Sequence, residues 1–178
     1  LGDSLTAGYG VMESQAYPSL VEQQLTQEGF SIKIINASIS GSTTASGLSR
    51  LKWQLKSQPT HLFLALGAND GLRGIKIEEI TKNLEKTILE AKKNGIKVMI
   101  AGMKVPPNYG PKHSKEFESV FIKLSKKHNL PLLPFLLEGV GGEKQLNQAD
   151  GIHPNSKGHK VMAKNVIQFL KKHLKKGT

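Results

Sequence analysis

Cysteine is absent from the 178 residues of this sequence. Its absence excludes disulfide bonds, thiol catalysis and metal sites with cysteine ligands within the chain, although it leaves the redox compartment undetermined. Aromatic residues are also scarce, at 6%, and no apolar run approaches the roughly 20 residues of a membrane-spanning helix. We therefore expect a soluble globular protein in which residues 1–178 form a single domain.

Acidic residues number 14 against 25 lysines and arginines, which gives a formal net charge of +11. Anionic partners such as nucleic acid or phospholipid are compatible with this charge. The lysines are scattered along helix-like segments without interleaved aromatic residues, and they cluster only in Lys171, Lys172, Lys175 and Lys176. We expect a monomer with a solvated basic face and no nucleic-acid partner, and only transient contact with anionic lipid is left open.

Short apolar runs rich in β-branched residues alternate with segments of helical periodicity. The apolar runs predict buried strands at residues 31–35, 61–66, 96–101 and 130–134. The periodic segments predict helices at residues 17–28, 44–56, 77–91, 114–128 and 156–174. This alternation is typical of a parallel sheet covered by helices on both faces. The predicted fold is therefore α/β, a three-layer α/β/α sandwich with a mostly parallel, flavodoxin-like sheet of five strands.

The opening segment fits this scheme only if a strand precedes Ser4, because ligands of parallel sheets bind beyond the carboxyl ends of the strands. Only Leu1 stands before Gly2. We therefore expect the first strand to be truncated in this chain, and the longer sequence to carry an apolar, β-branched run just before Leu1.

The late segment Asp150-Gly151-Ile152-His153-Pro154 places a carboxylate three residues before an imidazole. In a turn, the Asp150 carboxylate would accept a hydrogen bond from Nδ1 of His153 and leave Nε2 free to act as a base. An aspartate that caps a helix beside a surface histidine is the alternative. The other histidines fit a base less well, since His61 lies at the entry of a strand and the rest stand in lysine-rich contexts typical of exposed surface: His113, His128, His159 and His173.

A base needs a nucleophile, and without cysteine that nucleophile must be a hydroxyl. Ser4 would follow the first strand in a tight turn between Gly2 and Gly8. Acyl transfer also needs donors for a developing oxyanion, and the Gly41 backbone and the Asn69 side chain follow other strands. Taken singly, each of these residues also fits a turn or a helix cap.

Four separate segments occur in the order typical of one known family. They are Gly2-Asp3-Ser4-Leu5, Gly41, Gly67-Ala68-Asn69-Asp70 and Asp150-Gly151-Ile152-His153-Pro154. Together they resemble the four sequence blocks of the SGNH (GDSL) hydrolase superfamily. Within it, the chain is similar to the multifunctional bacterial acyl-thioesterase/lysophospholipase group, also called arylesterases. It departs from that group at Ala68, where many members carry a second glycine.

The resemblance implies a serine esterase that works without metal or cofactor. Ser4 would be the nucleophile, His153 the general base and Asp150 the acid that orients it. Ser4, Gly41 and Asn69 would form the oxyanion hole. The implied substrates are small acyl esters and thioesters, namely acyl-CoA, lysophospholipids and aryl esters, cleaved through an acyl-enzyme intermediate. Relatives of this type are exported, so the expected location is the periplasm or the exterior of the cell.

Two loops after predicted strands offer apolar surface for an acyl chain. Their candidate substrate-binding residues are Leu72, Ile75, Val105, Pro106 and Tyr109, which alternatively only cover the edge of the sheet. Two other functions are compatible with the sequence. One is a carbohydrate O-acetylesterase of the same superfamily, and the other is a catalytically silent domain that binds an anionic ligand through the basic helix at residues 156–176.

Overall fold

The computed structural model of the protein describes residues 1–175. Three strands occur in this range, β1 His61–Leu64, β2 Lys97–Ala101 and β3 Leu132–Leu133. The α-helices are α1 Ser4–Ala7, α2 Tyr17–Gln27, α3 Gly47–Gln54, α4 Ala68–Leu72, α5 Ile77–Lys93, α6 Pro111–His128 and α7 Ser156–Leu170. Short 3-10 helices occupy Glu13–Gln15, Thr44–Ser46, Leu55–Ser57, Pro107–Tyr109 and Lys144–Leu146.

The contacts within the chain define two compact units. The first contains residues 1–3 and 41–135, and the second contains residues 4–40 together with the described residues from 136 onwards. The expectation of one domain over residues 1–178 therefore stays a prediction. Residues 176–178, which include Lys176 of the predicted basic helix, lie outside the described residues.

The first unit is built on a parallel sheet with the order β1-β2-β3. His61 lies opposite Lys97, and Ile100 lies opposite Leu132. Each parallel connection runs through a long helix, α5 between β1 and β2 and α6 between β2 and β3. Both helices pack against β2. The predicted α/β fold with a parallel sheet is therefore confirmed.

The sheet contains three strands in the described residues, where five were predicted. Residues 31–35, predicted as a strand, are extended but pair with no other segment among residues 1–175. Instead, the backbone N–H of Ile34 donates to the carboxylate of Glu22, so this N–H has a side-chain partner in place of a neighbouring strand. Gly2 forms an isolated parallel bridge with Ala65, just beyond β1. The three-layer arrangement stays a prediction.

The helices follow their apolar periodicity closely. Helix α5 buries Ile80, Leu84 and Ile88 at intervals of four residues, as its sequence predicts. Helix α6 begins at Pro111, three residues before the predicted start, because proline is favourable in the first turn of a helix. Helix α7 ends at Leu170, four residues before the predicted end. No helix within residues 1–175 is both long enough and apolar enough to cross a bilayer.

The second unit is centred on the packing of α2 against α7. Val21 and Leu25 of α2 and Met162 and Val166 of α7 are buried. His159 is buried as well, with 1% of its surface exposed, so the prediction that it lies on the surface is wrong. The lysine-rich sequence around it describes only the outer face of α7, whereas His159 lies one turn before Met162 on the inner face.

His159 has a specific partner in this interior. Its Nδ1 accepts a hydrogen bond of 3.2 Å from the backbone N–H of Tyr17, in the first turn of α2. The first N–H groups of a helix have no partner within the helix, so this bond satisfies one of them. Burial lowers the pKa of His159 to about 4, because the charged imidazolium is poorly solvated there. The neutral form is also the one that keeps Nδ1 as an acceptor.

This pKa predicts how stability depends on pH. The unfolded chain takes up a proton at His159 below about pH 6.5, whereas the folded protein does so only near pH 4. The contribution of neutral His159 to the free energy of unfolding is therefore complete above pH 6.5 and is lost as pH falls towards 4. When the pH is lowered from about 7 to about 4.5, the free energy of unfolding measured in urea should fall in both proteins. The fall should be about 2 kcal/mol smaller for His159→Gln than for the unaltered protein. Glutamine is polar, like the neutral imidazole, but does not titrate.

The exposed His173 beyond α7 provides the matched control. His173→Gln should keep the full pH dependence of the unaltered protein. Equal pH dependence in the His159→Gln and unaltered proteins would contradict the assignment.

Candidate active site

Ser4 is the first residue of the short helix α1 and is buried, with 8% of its surface exposed. Its carbonyl oxygen accepts hydrogen bonds of 3.1 Å from the N–H groups of both Gly8 and Tyr9, so the chain turns sharply after α1. Gly8 has φ +80, and a Cβ atom there would lie 2.6 Å from the Cβ of Ala16. A side chain at residue 8 would therefore be both strained and obstructed, which explains the glycine in this turn.

Residues 150–153 form a turn organised around the Asp150 carboxylate. Oδ1 accepts hydrogen bonds of 3.0 Å from the N–H groups of Ile152 and His153, and Oδ2 lies 2.7 Å from Nδ1 of His153. Gly151 supplies the positive φ of +73 that this turn requires. Hydrogen bonding from the His153 side chain, followed by that from its backbone, lowers the pKa of Asp150 to about 2. The carboxylate therefore remains an ionised acceptor around neutral pH.

His153 connects this turn to Ser4. Because the ionised Asp150 can only accept, Nδ1 of His153 carries the proton and donates to it, which leaves the lone pair on Nε2. Nε2 lies 3.0 Å from Oγ of Ser4, within hydrogen-bond distance for the serine hydroxyl to donate. The structure thus brings together three residues that the sequence predicts as a group, and in the predicted order of contacts.

Two neighbours of His153 were missed by sequence reasoning. The ring of Tyr9 lies 4.7 Å from the His153 ring, centroid to centroid, at an interplanar angle of 44°. Gln148 donates through its backbone N–H to the carbonyl of His153 at 2.8 Å. Neither residue belongs to a pattern that marks a reactive site, so the sequence offered no signal for them.

The other two predicted site residues, Gly41 and Asn69, lie in the first unit, and α4 connects them. Nδ2 of Asn69 donates to the carbonyl of Ser42 at 3.0 Å, and Nη2 of Arg73 donates to the carbonyl of Gly41 at 3.2 Å. Gly41 is exposed and has φ +77. Side chains of α4 and its C-terminal end therefore hold the loop at residues 41–44 in place.

Asp70 contributes the buried part of this connection. Its carboxylate accepts from the N–H of Thr44 at 2.9 Å and from the Thr44 hydroxyl at 2.6 Å. Burial raises the pKa of Asp70, and the hydrogen bonds from Thr44 oppose that rise. In the sequence, Asp70 stands out only as the last residue of the segment Gly67-Ala68-Asn69-Asp70, and its long-range partner Thr44 could not be identified from local pattern.

The five predicted substrate-binding residues differ in their exposure. The hydroxyl of Tyr109 donates to the carbonyl of Leu72 at 2.9 Å, so these two loops are joined. Leu72, Ile75, Pro106 and Tyr109 are half-buried. Val105 is buried, with 8% of its surface exposed, and packs so close to Gly71 that a Cβ atom on residue 71 would lie 2.5 Å from its Cγ1.

Comparison with known proteins identifies the family. The model of the GDSL-like Lipase/Acylhydrolase family matches residues 1–161, which is most of the chain. The chain belongs to this GDSL-like family.

Two relatives and one solved structure that are similar to the chain are named as esterases. The chain is 40% identical over 172 residues to esterase TesA of Pseudomonas aeruginosa, covering 96% of this chain and 86% of that protein. It is 41% identical over 175 residues to an arylesterase of Vibrio mimicus, covering 98% of this chain and 88% of that protein. The structure of the psychrotrophic esterase EstA from Pseudoalteromonas sp., inhibited by monoethylphosphonate, superimposes with a TM-score of 0.92 at 35% identity, covering 97% of this chain and 94% of that one.

These findings confirm the predicted resemblance to the GDSL hydrolases and the predicted class of serine hydrolase with esterase activity. The catalytically silent alternative has no support among these relatives. Within residues 1–175, no group of three or more histidine or acidic side chains is arranged to hold a metal ion.

Proposed function

We propose that this member of the GDSL-like family hydrolyses ester and thioester bonds of small acyl substrates, including acyl-CoA, lysophospholipids and aryl esters, through an acyl-enzyme intermediate. The observation that carries this proposal is the 3.0 Å contact between Oγ of Ser4 and Nε2 of His153, with Asp150 on the opposite nitrogen. The names of the relatives support esters and aryl esters, and the family resemblance supports acyl-CoA and lysophospholipids.

In the proposed mechanism, Ser4 Oγ attacks the carbonyl carbon while Nε2 of His153 takes the serine proton. Asp150 stabilises the imidazolium, and its low pKa keeps it charged for this task. His153 then returns the proton to the departing alkoxide or thiolate, which leaves the acyl group on Ser4. Water attacks this ester with His153 again as base, and the carboxylic acid is released. No step requires a metal or a cofactor.

The proposed oxyanion hole consists of the backbone N–H groups of Ser4 and Gly41 and the side-chain amide of Asn69. The family motifs support this assignment. Two features of the individual residues fit it. Gly41 has no side chain to cover its N–H, and the orientation of the Asn69 amide is restrained by its bond to the Ser42 carbonyl. Donors that are held in place before the reaction stabilise a developing negative charge most effectively.

Ser4→Ala tests the nucleophile. The substitution should lower kcat/KM for an aryl ester by several orders of magnitude, because a hydroxyl and its base act as a unit. A fluorophosphonate should add covalently to Ser4 in the unaltered protein, as peptide mass spectrometry would show, and should fail to react with Ser4→Ala. The exposed Ser49 of α3 provides the control, since Ser49→Ala should react normally. Near-normal hydrolysis by a folded Ser4→Ala variant would exclude the proposed role.

Asn69→Ala tests the oxyanion donors. Loss of one donor should lower kcat by about 10²- to 10³-fold with little change in KM, because the bond forms to charge that develops only in the transition state. Asn94, exposed at the C-terminal end of α5 in the same unit, provides the control for an asparagine change. An Asn69→Ala variant that raises KM and keeps kcat would instead indicate a ground-state contact.

We further propose that the half-buried apolar residues Leu72, Ile75, Pro106 and Tyr109, with Val105 packed beneath Gly71, form the acyl-binding surface. Among p-nitrophenyl esters of increasing chain length, kcat/KM should then rise beyond the acetate, because each buried methylene contributes about 0.8 kcal/mol at most. Leu72→Ala should reduce this chain-length preference, whereas Leu89→Ala on the exposed face of α5 should not. A preference for acetate, with faster hydrolysis of acetylated sugars, would favour the carbohydrate O-acetylesterase alternative.

Proposals on the oligomeric state and location of the enzyme rest on its composition and its family resemblance. We propose a monomer that acts in the periplasm or outside the cell and contacts anionic lipid only transiently. The net charge of +11 supports attraction to anionic substrates and surfaces, an attraction that added salt would screen.

A further inference from the structure

Gln148 stands two residues before Asp150 and makes contacts at both ends of the turn at residues 150–153. Its backbone N–H donates to the carbonyl of His153 at 2.8 Å, and its own carbonyl accepts from the N–H of Gly151 at 2.9 Å. Its side-chain Nε2 donates to the carbonyl of Pro154 at 3.0 Å. Gln148 therefore binds the backbone of the turn that carries the proposed base.

The same side-chain nitrogen also reaches the segment that follows Ser4. Nε2 of Gln148 donates to the carbonyl of Tyr9 at 2.7 Å. A primary amide has two hydrogens, so one nitrogen can serve both carbonyls. The reversed amide would place Oε1 against two carbonyl oxygens, so the donor orientation is the favourable one. Tyr9 and Pro154 are thus joined through a single side-chain atom.

These bonds form a closed circuit around the proposed catalytic pair. The carbonyl of Ser4 accepts from the N–H of Tyr9, and the carbonyl of Tyr9 accepts from Nε2 of Gln148. The backbone N–H of Gln148 donates to the carbonyl of His153, and Nε2 of His153 lies within hydrogen-bond distance of Oγ of Ser4. Every hydrogen bond in the circuit except the one between Ser4 and His153 involves a backbone atom. The circuit therefore restrains the backbone positions of Ser4 and His153.

The glycine at residue 10 leaves room for this close approach. Gly10 has φ +77, and a Cβ atom on it would collide with Oε1 of Gln148. The loop after α1 therefore lies directly against the side chain of Gln148.

We propose that Gln148 is a positioning residue for the esterase reaction, whose side-chain amide sets the separation between the Ser4 hydroxyl and the His153 imidazole. The inference rests on the proposed function of those two residues. Gln148 contacts neither reacting side chain atom directly and acts through the backbone at Tyr9, His153 and Pro154. A displacement of about 1 Å between reacting groups is enough to cost on the order of 10²-fold in rate.

Gln148→Met provides the main test, because methionine keeps the length of the side chain and removes both donors. We expect kcat for a p-nitrophenyl ester to fall by about 10- to 100-fold, with KM changed by no more than about twofold. The second-order rate constant for fluorophosphonate addition to Ser4 should fall by the same factor as kcat, since both depend on proton transfer from Ser4 to His153. Loss of a purely structural contact would lower the melting temperature without this parallel change.

Gln148→Glu is the second variant and keeps nearly the same shape. At neutral pH its carboxylate offers only acceptors to two carbonyl oxygens, so it should lose at least as much activity as Gln148→Met. Gln145, exposed in the same segment, supplies the matched control, and Gln145→Met should retain kcat and the labelling rate within about twofold. Thermal unfolding establishes which variants are folded.

The outcomes separate this inference from the function on which it rests. If the unaltered protein forms no adduct on Ser4, the proposed function fails, and this inference fails with it. If Ser4 is labelled and either folded Gln148 variant keeps both rates within about twofold, only the inference is overturned. A rise in KM at constant kcat would also overturn it, because that pattern indicates a substrate contact.

Discussion

The candidate site depends on one imidazole that holds two hydrogen bonds at once. His153 donates from Nδ1 to Asp150 at 2.7 Å and accepts at Nε2 from Ser4, 149 positions away along the chain, at 3.0 Å. The first bond determines the second, because a carboxylate that stays ionised fixes the tautomer of its partner. Three N–H groups surround the Asp150 carboxylate, and its pKa of about 2 follows from them.

The packing of α2 against α7 supports this imidazole. Helix α2 follows the loop after Ser4, and helix α7 begins just beyond His153, with Asn155 accepting from the N–H groups of Lys157 and Gly158 at its start. The bond from the Tyr17 N–H to His159 joins the first turn of α2 to the first turn of α7. A buried, neutral histidine in that place links the stability of the helix pair to pH. The same helix pair carries the segments on either side of the reactive residues.

The elements of the fold were largely predictable because their signals are local. Helix α5 repeats its apolar residues every four positions, and β1 and β2 are short β-branched or leucine-rich runs between turns. Local signals were not sufficient at residues 31–35, where a strand was predicted and none forms. A strand exists only with a partner, and the N–H of Ile34 binds the Glu22 side chain instead. His159 shows the same limit, since the charge of neighbouring lysines describes one face of a helix and burial depends on the other.

The sequence by itself determined the chemistry that this protein can perform and the order of its elements, because side-chain types, turn residues and apolar periodicity are properties of neighbours along the chain. It therefore placed Ser4, Asp150 and His153 among the candidates and indicated the family. Only the tertiary structure decided the distance between the hydroxyl and the imidazole, and the partners Gln148 and Tyr9. The contacts of Ser4 with His153 and of Tyr9 with Gln148 join residues 149 and 139 positions apart, and their formation depends on how distant segments pack.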